Sequence, residues 1–203
     1  MDFGILVKGG IVMIPLLACS LVSMAILFER MYFYKKCHTD ISTLRKAMTQ
    51  YIPQKNWTAL QGSCDMVGGK AAEMVGEALL HDKAIDVQEK FVDMKGAAIA
   101  GELQNYLSYL STIVTLAPLM GLLGTVTGMI SSFNVLATAE GQPFAITGGV
   151  SEALIATATG LCVAIIALVI HTYLKQRQNS LLDEIEEVGA LYILTLVGDR
   201  HEA

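Results

Sequence analysis

The sequence predicts an all-α integral membrane protein with three transmembrane helices, and three observations lead there. Hydrophobic residues make up 53% of the 203 positions and charged residues only 16%, against roughly 25% charged in soluble domains; the mean hydropathy is +0.51. Three runs are long and apolar enough to cross a bilayer, which takes about 20 residues: Gly9–Phe28 and Leu103–Ala139 hold no Asp, Glu, Lys or Arg, and Ile146–Leu174 holds one, Glu152. Between these runs apolar residues recur at helical spacing, and no stretch alternates convincingly as a strand.

The elements follow in chain order. Residues 1–8 form a periplasmic or interfacial N-terminal segment. The first span is assigned to residues 9–34. It reads as a retained helix rather than a signal peptide, because Asp2 and a lone Lys8 make a weak basic region and the cations come afterwards. Its end, "ERMYFYKK", puts Tyr32, Phe33 and Tyr34 at an interface with Lys35 and Lys36 just beyond.

Residues 35–102 form a helical segment outside the lipid. "DISTLRKAMTQYI" carries a possible cap at Asp40 or Ser42 and stops before Pro53. "NWTALQGSC" reads as a short helix ended by Gly62, and "GGK" at Gly68–Lys70 as a flexible turn, since it lacks P-loop spacing. The pattern from Ala71 to Leu110 is helical and leads into the second span without a breaker. That span covers residues 103–137. One helix from Leu103 to Ala139 would reach about 55 Å, beyond the ~30 Å hydrocarbon core, so "LQNYLSYLSTI" is expected to extend into water. A short loop, 138–145, precedes the third span at 146–174. Residues 175–203 form an amphipathic C-terminal helix with Leu181, Leu182, Ile185, Val188, Leu191 and Tyr192 near one face. Its acidic "DEIEE" run is expected to be a solvated face, with contact to basic residues of a neighbouring copy as the weaker alternative.

Lys and Arg set the direction. Arg30, Lys35, Lys36, Arg45 and Lys46 follow the first span, Lys175 and Arg177 follow the third, and "TAEGQPFAIT" between spans two and three has none. The positive-inside rule places the N-terminus outside and the C-terminus in the cytoplasm. Arg30, Lys35, Lys36, Lys175 and Arg177 are thereby expected at anionic phospholipid headgroups. Lys8 dissents, and its long side chain is able to snorkel.

Several functions are excluded by the same reading. A net charge of −5 without any Lys/Arg block gives no basis for nucleic-acid binding. Cys19, Cys37, Cys64 and Cys162 have no regular spacing, and the two within spans read as small buried hydrophobes. Cys37-His38 is adjacent rather than spaced as a ligand pair, and His38, His81, His171 and His201 are scattered, so neither metal nor cofactor is expected. No nucleophile–base constellation suggests an enzyme, and three spans without an inverted repeat do not suggest a solute transporter.

The candidate site lies in the third span. On a wheel of 100° per residue, Thr159 falls about 20° from Glu152. Gly149, Ala153, Ala156, Thr157, Gly160 and Ala164 occupy a neighbouring arc, opposite the bulkier Leu154, Ile155, Ile165 and Val169. The small arc suits close helix approach and the bulky one lipid; Glu152 sits at the edge of the protein-facing arc. In the second span Ser111, Pro118, Gly121, Thr125, Gly128 and Ser132 share a side, Thr127 lies off it, and Gly124 adds to the small residues. Such stripes are frequently no more than packing surfaces, which keeps a structural scaffold open as the alternative. Glu152 differs, because an ionisable group within a span is a functional candidate by default. This reading places its carboxyl at mid-bilayer depth, facing protein.

Two stretches, "GLLGTVTGMISSF" and "GGVSEALIATATGLCVAI", together with "IVMIPLLACSLVSMAILFER" closing on Glu29-Arg30, resemble the signatures of the MotA/TolQ/ExbB proton-channel family. Three spans and a modest cytoplasmic segment are similar to its ExbB/TolQ branch. The resemblance implies a ring, typically a pentamer, in the bacterial inner membrane. The ring surrounds ExbD- or TolR-like single-span partners with a membrane aspartate, and proton flow energises a TonB- or TolA-like transducer. It also implies pathway roles for Glu152, Thr125 and Thr157, with Thr159 a secondary candidate from the wheel. Helix packing falls to Gly121, Gly124, Gly128, Gly149, Ala153, Gly160 and Ala164. Thr127 departs from relatives that carry a bulky residue there.

Overall fold

The computed structural model describes residues 10–81, 84–138 and 143–201. They form seven helices and no strand: α1 Met13–Cys37, α2 Ile41–Tyr51, α3 Trp57–Val67, α4 Lys70–Ala78, α5 Ile85–Gln104, α6 Leu107–Thr138 and α7 Pro143–His201. Three of the helical stretches are long and apolar enough to span a membrane. The N-terminal segment 1–8, with Lys8, and Ala139–Gln142 of the short loop lie outside the described residues. The chain divides into two compact units, Met1–Glu29 with Tyr106–Leu174, and Arg30–Asn105 with Lys175–Ala203.

The first unit packs α1, α6 and the first part of α7 around Val12, Met13 and Leu16, Ile113 and Ala117, and Val163, Ala164 and Ala167. Large apolar side chains point outward instead, among them Leu21, Phe28, Leu119, Leu154, Ile165 and Val169, all more than half exposed. In water such a surface would drive aggregation; against acyl chains it is the stable arrangement. The inner contacts are made by small residues. A Cβ on Gly160 would come 2.6 Å from the Ala117 carbonyl, and one on Gly121 3.0 Å from the Thr157 Cα. With neither driven inward by water, the two helices hold through this backbone-to-backbone approach and its dispersion contacts.

The second unit is a helical cluster built on polar detail. Asp40 caps α2 by accepting from the Ser42 and Thr43 amides, and Asn56 caps α3 through the Ala59 amide. Helix α3 runs through Gly62 to Val67, a correction to the sequence reading; the stop is Gly68–Gly69, where φ of +67° and +82° suits glycine. Gly69 also lies too close to the His38 carbonyl and the Thr39 hydroxyl to admit a Cβ. That hydroxyl accepts from the Ala71 amide at 3.2 Å.

A second correction concerns the lead into the second span. The helix does not run through: α5 ends at Gln104, and Asn105–Tyr106 interrupts it, with Tyr106 at φ +66°. No glycine or proline marks the place, so the pattern concealed it. Arg30 and Tyr34 instead hold the end of α5, donating to the carbonyls of Glu102 at 3.0 Å and Leu103 at 2.8 Å. By contrast, α7 continues unbroken from the third span into the C-terminal helix, where Leu181, Ile185, Val188, Tyr192 and Leu196 are buried.

The acidic run is not simply solvated. The Glu184 carboxylate meets His38 Nδ1 at 2.7 Å and accepts from the Thr39 amide at 3.2 Å; Glu187 pairs with Arg45. Gln88, fully buried, donates to the Ala78 carbonyl at 2.9 Å and accepts from the buried Tyr192 hydroxyl at 2.9 Å. Burial pushes the Tyr192 phenol well above its ordinary range, so it stays a neutral donor.

Candidate functional site

The charge-bearing residue of the third span stands on the surface of the first unit. Glu152 is exposed on the single chain, next to buried Ala153 and Ala156 on the face that packs against α6. Its carboxylate lies against Gly10, just before α1, where the backbone takes φ +71°. Glu152 is 22 residues before Leu174, about 33 Å along a straight helix, which is a full hydrocarbon thickness from the cationic Lys175 end. The carboxyl therefore stands level with the start of α1.

The hydroxyls sit progressively deeper. Gly128 packs on Ala153, Gly124 on Ala156, Gly121 on Thr157, and Gly160 on Ala117, so this ladder fixes the register of α6 against α7. Thr125 falls between the first and second rungs. Gly149 packs beside Ser132, whose buried hydroxyl donates to Gly128 at 2.8 Å, and Ala164 is buried in the core. The packing face of α6 is thus Ile113, Ala117, Gly121, Gly124, Gly128 and Ser132. Thr125 is not at its centre but half-buried at its edge, and Ser111 is exposed.

Three threonine hydroxyls at this face donate to backbone. Thr125 donates to Leu122 at 2.6 Å and Thr159 to Ile155 at 2.8 Å, each within its own helix. Thr157 reaches across, donating to the Gly121 carbonyl at 2.9 Å. Each hydroxyl therefore offers its surroundings lone pairs and has its proton committed. Donation outward requires the hydroxyl to rotate and release a carbonyl. Thr127 likewise bonds its own turn, at Leu123 and Gly124, and is exposed.

The boundary cations divide. Lys35, Lys36, Lys175 and Arg177 are exposed. Arg30 is only 4% exposed, with its guanidinium 4.5 Å above the Phe33 ring and bonded to the Glu102 carbonyl; it is a structural arginine, not the headgroup contact expected from sequence. The cysteines also reverse. Cys37 and Cys64 are buried, while Cys19 is half-buried and Cys162 exposed. Burial raises the Cys37 thiol and pushes Cys64 up to about 11, so both behave as small neutral hydrophobes. Among the described residues no group of three His, Cys, Asp or Glu side chains is arranged to hold a metal ion.

Gly10 is the residue that sequence reasoning missed. Its signal was weak: a glycine pair opening an otherwise apolar run says nothing about which side chain will come to rest against it.

Comparison with known proteins agrees with this architecture. The sequence profile of the MotA/TolQ/ExbB proton channel family matches residues 69–187. A putative biopolymer transport protein ExbB-like 3 from Synechocystis sp. is 31% identical over 186 residues, covering 87% of each chain. The biopolymer transport protein ExbB of Salmonella typhimurium is 27% identical over 199 residues, 90% of this chain and 79% of that one. The Tol-Pal system protein TolQ of Pseudomonas aeruginosa is 39% identical over 82 residues, 40% of this chain and 35% of that one.

Proposed function

Because the chain belongs to the MotA/TolQ/ExbB proton channel family, we propose that it is the ring-forming stator subunit of a motor driven by the proton-motive force. In this reading several copies, a pentamer by family resemblance, assemble in a bacterial inner membrane with the N-terminus periplasmic and the C-terminus cytoplasmic. They enclose ExbD- or TolR-like single-span proteins whose membrane aspartate carries the proton. Proton flow along the interface then moves a TonB- or TolA-like transducer, energising outer-membrane transport or maintaining the envelope.

The observation that carries the reading is Glu152. It is the one Asp, Glu, Lys or Arg in the third span, and it is exposed on the isolated chain beside a close-packed, hydroxyl-bearing face. An uncompensated carboxylate facing acyl chains costs several kcal/mol, so its stable neighbours are protein, water or a proton. At the far boundary it marks a mouth. Thr125, Thr157 and Thr159 follow deeper and supply acceptor lone pairs to an incoming acid. The small faces of α6 and α7 supply a rigid wall.

One observation favours a scaffold instead: the Thr157 hydroxyl fastens α7 to α6, a packing role. Glu152→Gln separates the readings. With the single-span partner present, the variant is expected to lose proton flux into proteoliposomes while membrane level and copy number stay unchanged. Wild-type flux per complex, or lost assembly in place of lost flux, overturns the pathway role.

A further inference from the structure

Gly10 and Glu152 touch although 141 positions separate them. The backbone at Gly10 is in the left-handed region, φ +71°, and its carbonyl accepts from the Met13 amide at 3.1 Å, closing the turn that starts α1. A Cβ built at this position would overlap the Glu152 Oε1 and stand 3.3 Å from its carboxyl carbon and 3.7 Å from its Cγ. All three of these nearest atoms belong to the Glu152 side chain. The glycine therefore leaves a hollow that this carboxylate occupies.

Two features make the contact more than ordinary packing. Among the described residues no hydrogen bond joins Gly10 to Glu152, so the glycine does not serve it as a donor; it serves as space. The intruding atoms are also the far end of a flexible side chain, so a methyl group at position 10 would turn the carboxyl aside without separating the helices. The contrast is Gly160, where a Cβ would meet the backbone of Ala117 and Gly121 and the helices themselves would have to part.

We infer that Gly10 is a positioning residue for Glu152: the bare turn before α1 fixes where the carboxyl stands at the mouth of the pathway. The inference rests on the proton-pathway reading above for its consequence, but not for its geometry. A carboxyl that takes part in proton transfer must be held to within a fraction of an ångström of its partner, and misplacement by about 1 Å costs up to ~100-fold in rate. The first span thus contributes to the pathway through the space its opening glycine leaves.

The test uses the complex isolated with its single-span partner, carrying Gly10→Ala, Gly10→Asn or, as a control, Gly148→Ala, since a Cβ at Gly148 would meet nothing within 4 Å. Alanine adds both a Cβ and backbone strain; asparagine adds the Cβ but tolerates the left-handed backbone. The Glu152 carboxyl band, identified in infrared difference spectra by its loss in Glu152→Gln, is expected to shift in both Gly10 variants and not in the control. Proton flux should fall by about tenfold or more in both, as misplacement of a reacting group predicts. An unmoved band in either Gly10 variant, or asparagine restoring flux that alanine removes, overturns the inference. If Glu152→Gln itself retains full flux, the pathway reading fails, while the band shift still decides whether Gly10 places the carboxyl.

Discussion

Thr157→Val separates a hydroxyl that conducts from one that merely fastens. Valine keeps the branched shape and removes only the donor that reaches the Gly121 carbonyl at 2.9 Å. That carbonyl lies inside α6 and already serves the helical ladder, so losing the second bond does not leave it unsatisfied. Interhelical hydrogen bonds in membranes average about 0.6 kcal/mol and reach about 1.7. The stability cost is therefore bounded at roughly a 3- to 20-fold change in the unfolding equilibrium, with the glycine ladder from Gly128 to Gly160 intact. Thermal melting of the detergent-solubilised complex should show only a small shift for Thr157→Val and none for Thr157→Ser. Proton flux in proteoliposomes should fall steeply for valine and persist for serine. If Thr157→Val conducts like the wild type, the hydroxyl is a fastener and the pathway assignment at this position is wrong. A melting loss far above the bound would instead show that the bond carries more of the helix packing than its geometry implies.

Two further outcomes concern the second unit. Tyr192→Phe removes the donor to the buried Gln88 Oε1 and is expected to destabilise this unit by about 1–3 kcal/mol, read by hydrogen exchange of the α5 amides. The Asp40 cap should fail in acid: bonds from the Thr43 and Ser42 hydroxyls and the Thr43 amide hold its carboxyl down from the ordinary 3.8 to about 2, so its contribution is complete above the unfolded value and disappears as pH falls through the folded one. Protection of the α2 amides should therefore drop between about pH 4 and pH 2, and Asp40→Asn, which caps without titrating, should remove that dependence.

Much of the fold was legible because a bilayer imposes a coarse and strict demand. Backbone polar groups in hydrocarbon must be satisfied internally, so three long charge-poor runs have helix as their open choice. Asp40 and Pro53 bracketed α2 for equally local reasons. The errors came where local signals were absent or ambiguous. Gly62 resembled a stop, yet nothing crowds it within the helix, and the chain goes on to the double glycine that reverses it. The break at Asn105–Tyr106 carries no breaker residue. Arg30 looked like a boundary cation because sequence cannot show a guanidinium stacked on Phe33 and bonded to a carbonyl 72 residues away.

The sequence by itself determined the class of molecule, the three long apolar helices and the one acidic residue within their apolar runs, since each follows from composition and one-dimensional periodicity. It also marked which residues are small enough for close helix approach. Tertiary structure alone decided that Gly121 meets Thr157 and Gly128 meets Ala153, that the threonine protons are committed to backbone, and that the Glu152 carboxyl rests against Gly10 at the start of α1. The physical reason is that a helical wheel fixes the angle of a residue about its own axis but not its height against a neighbouring helix. That height is set by which glycines of one helix admit which backbone atoms of the other.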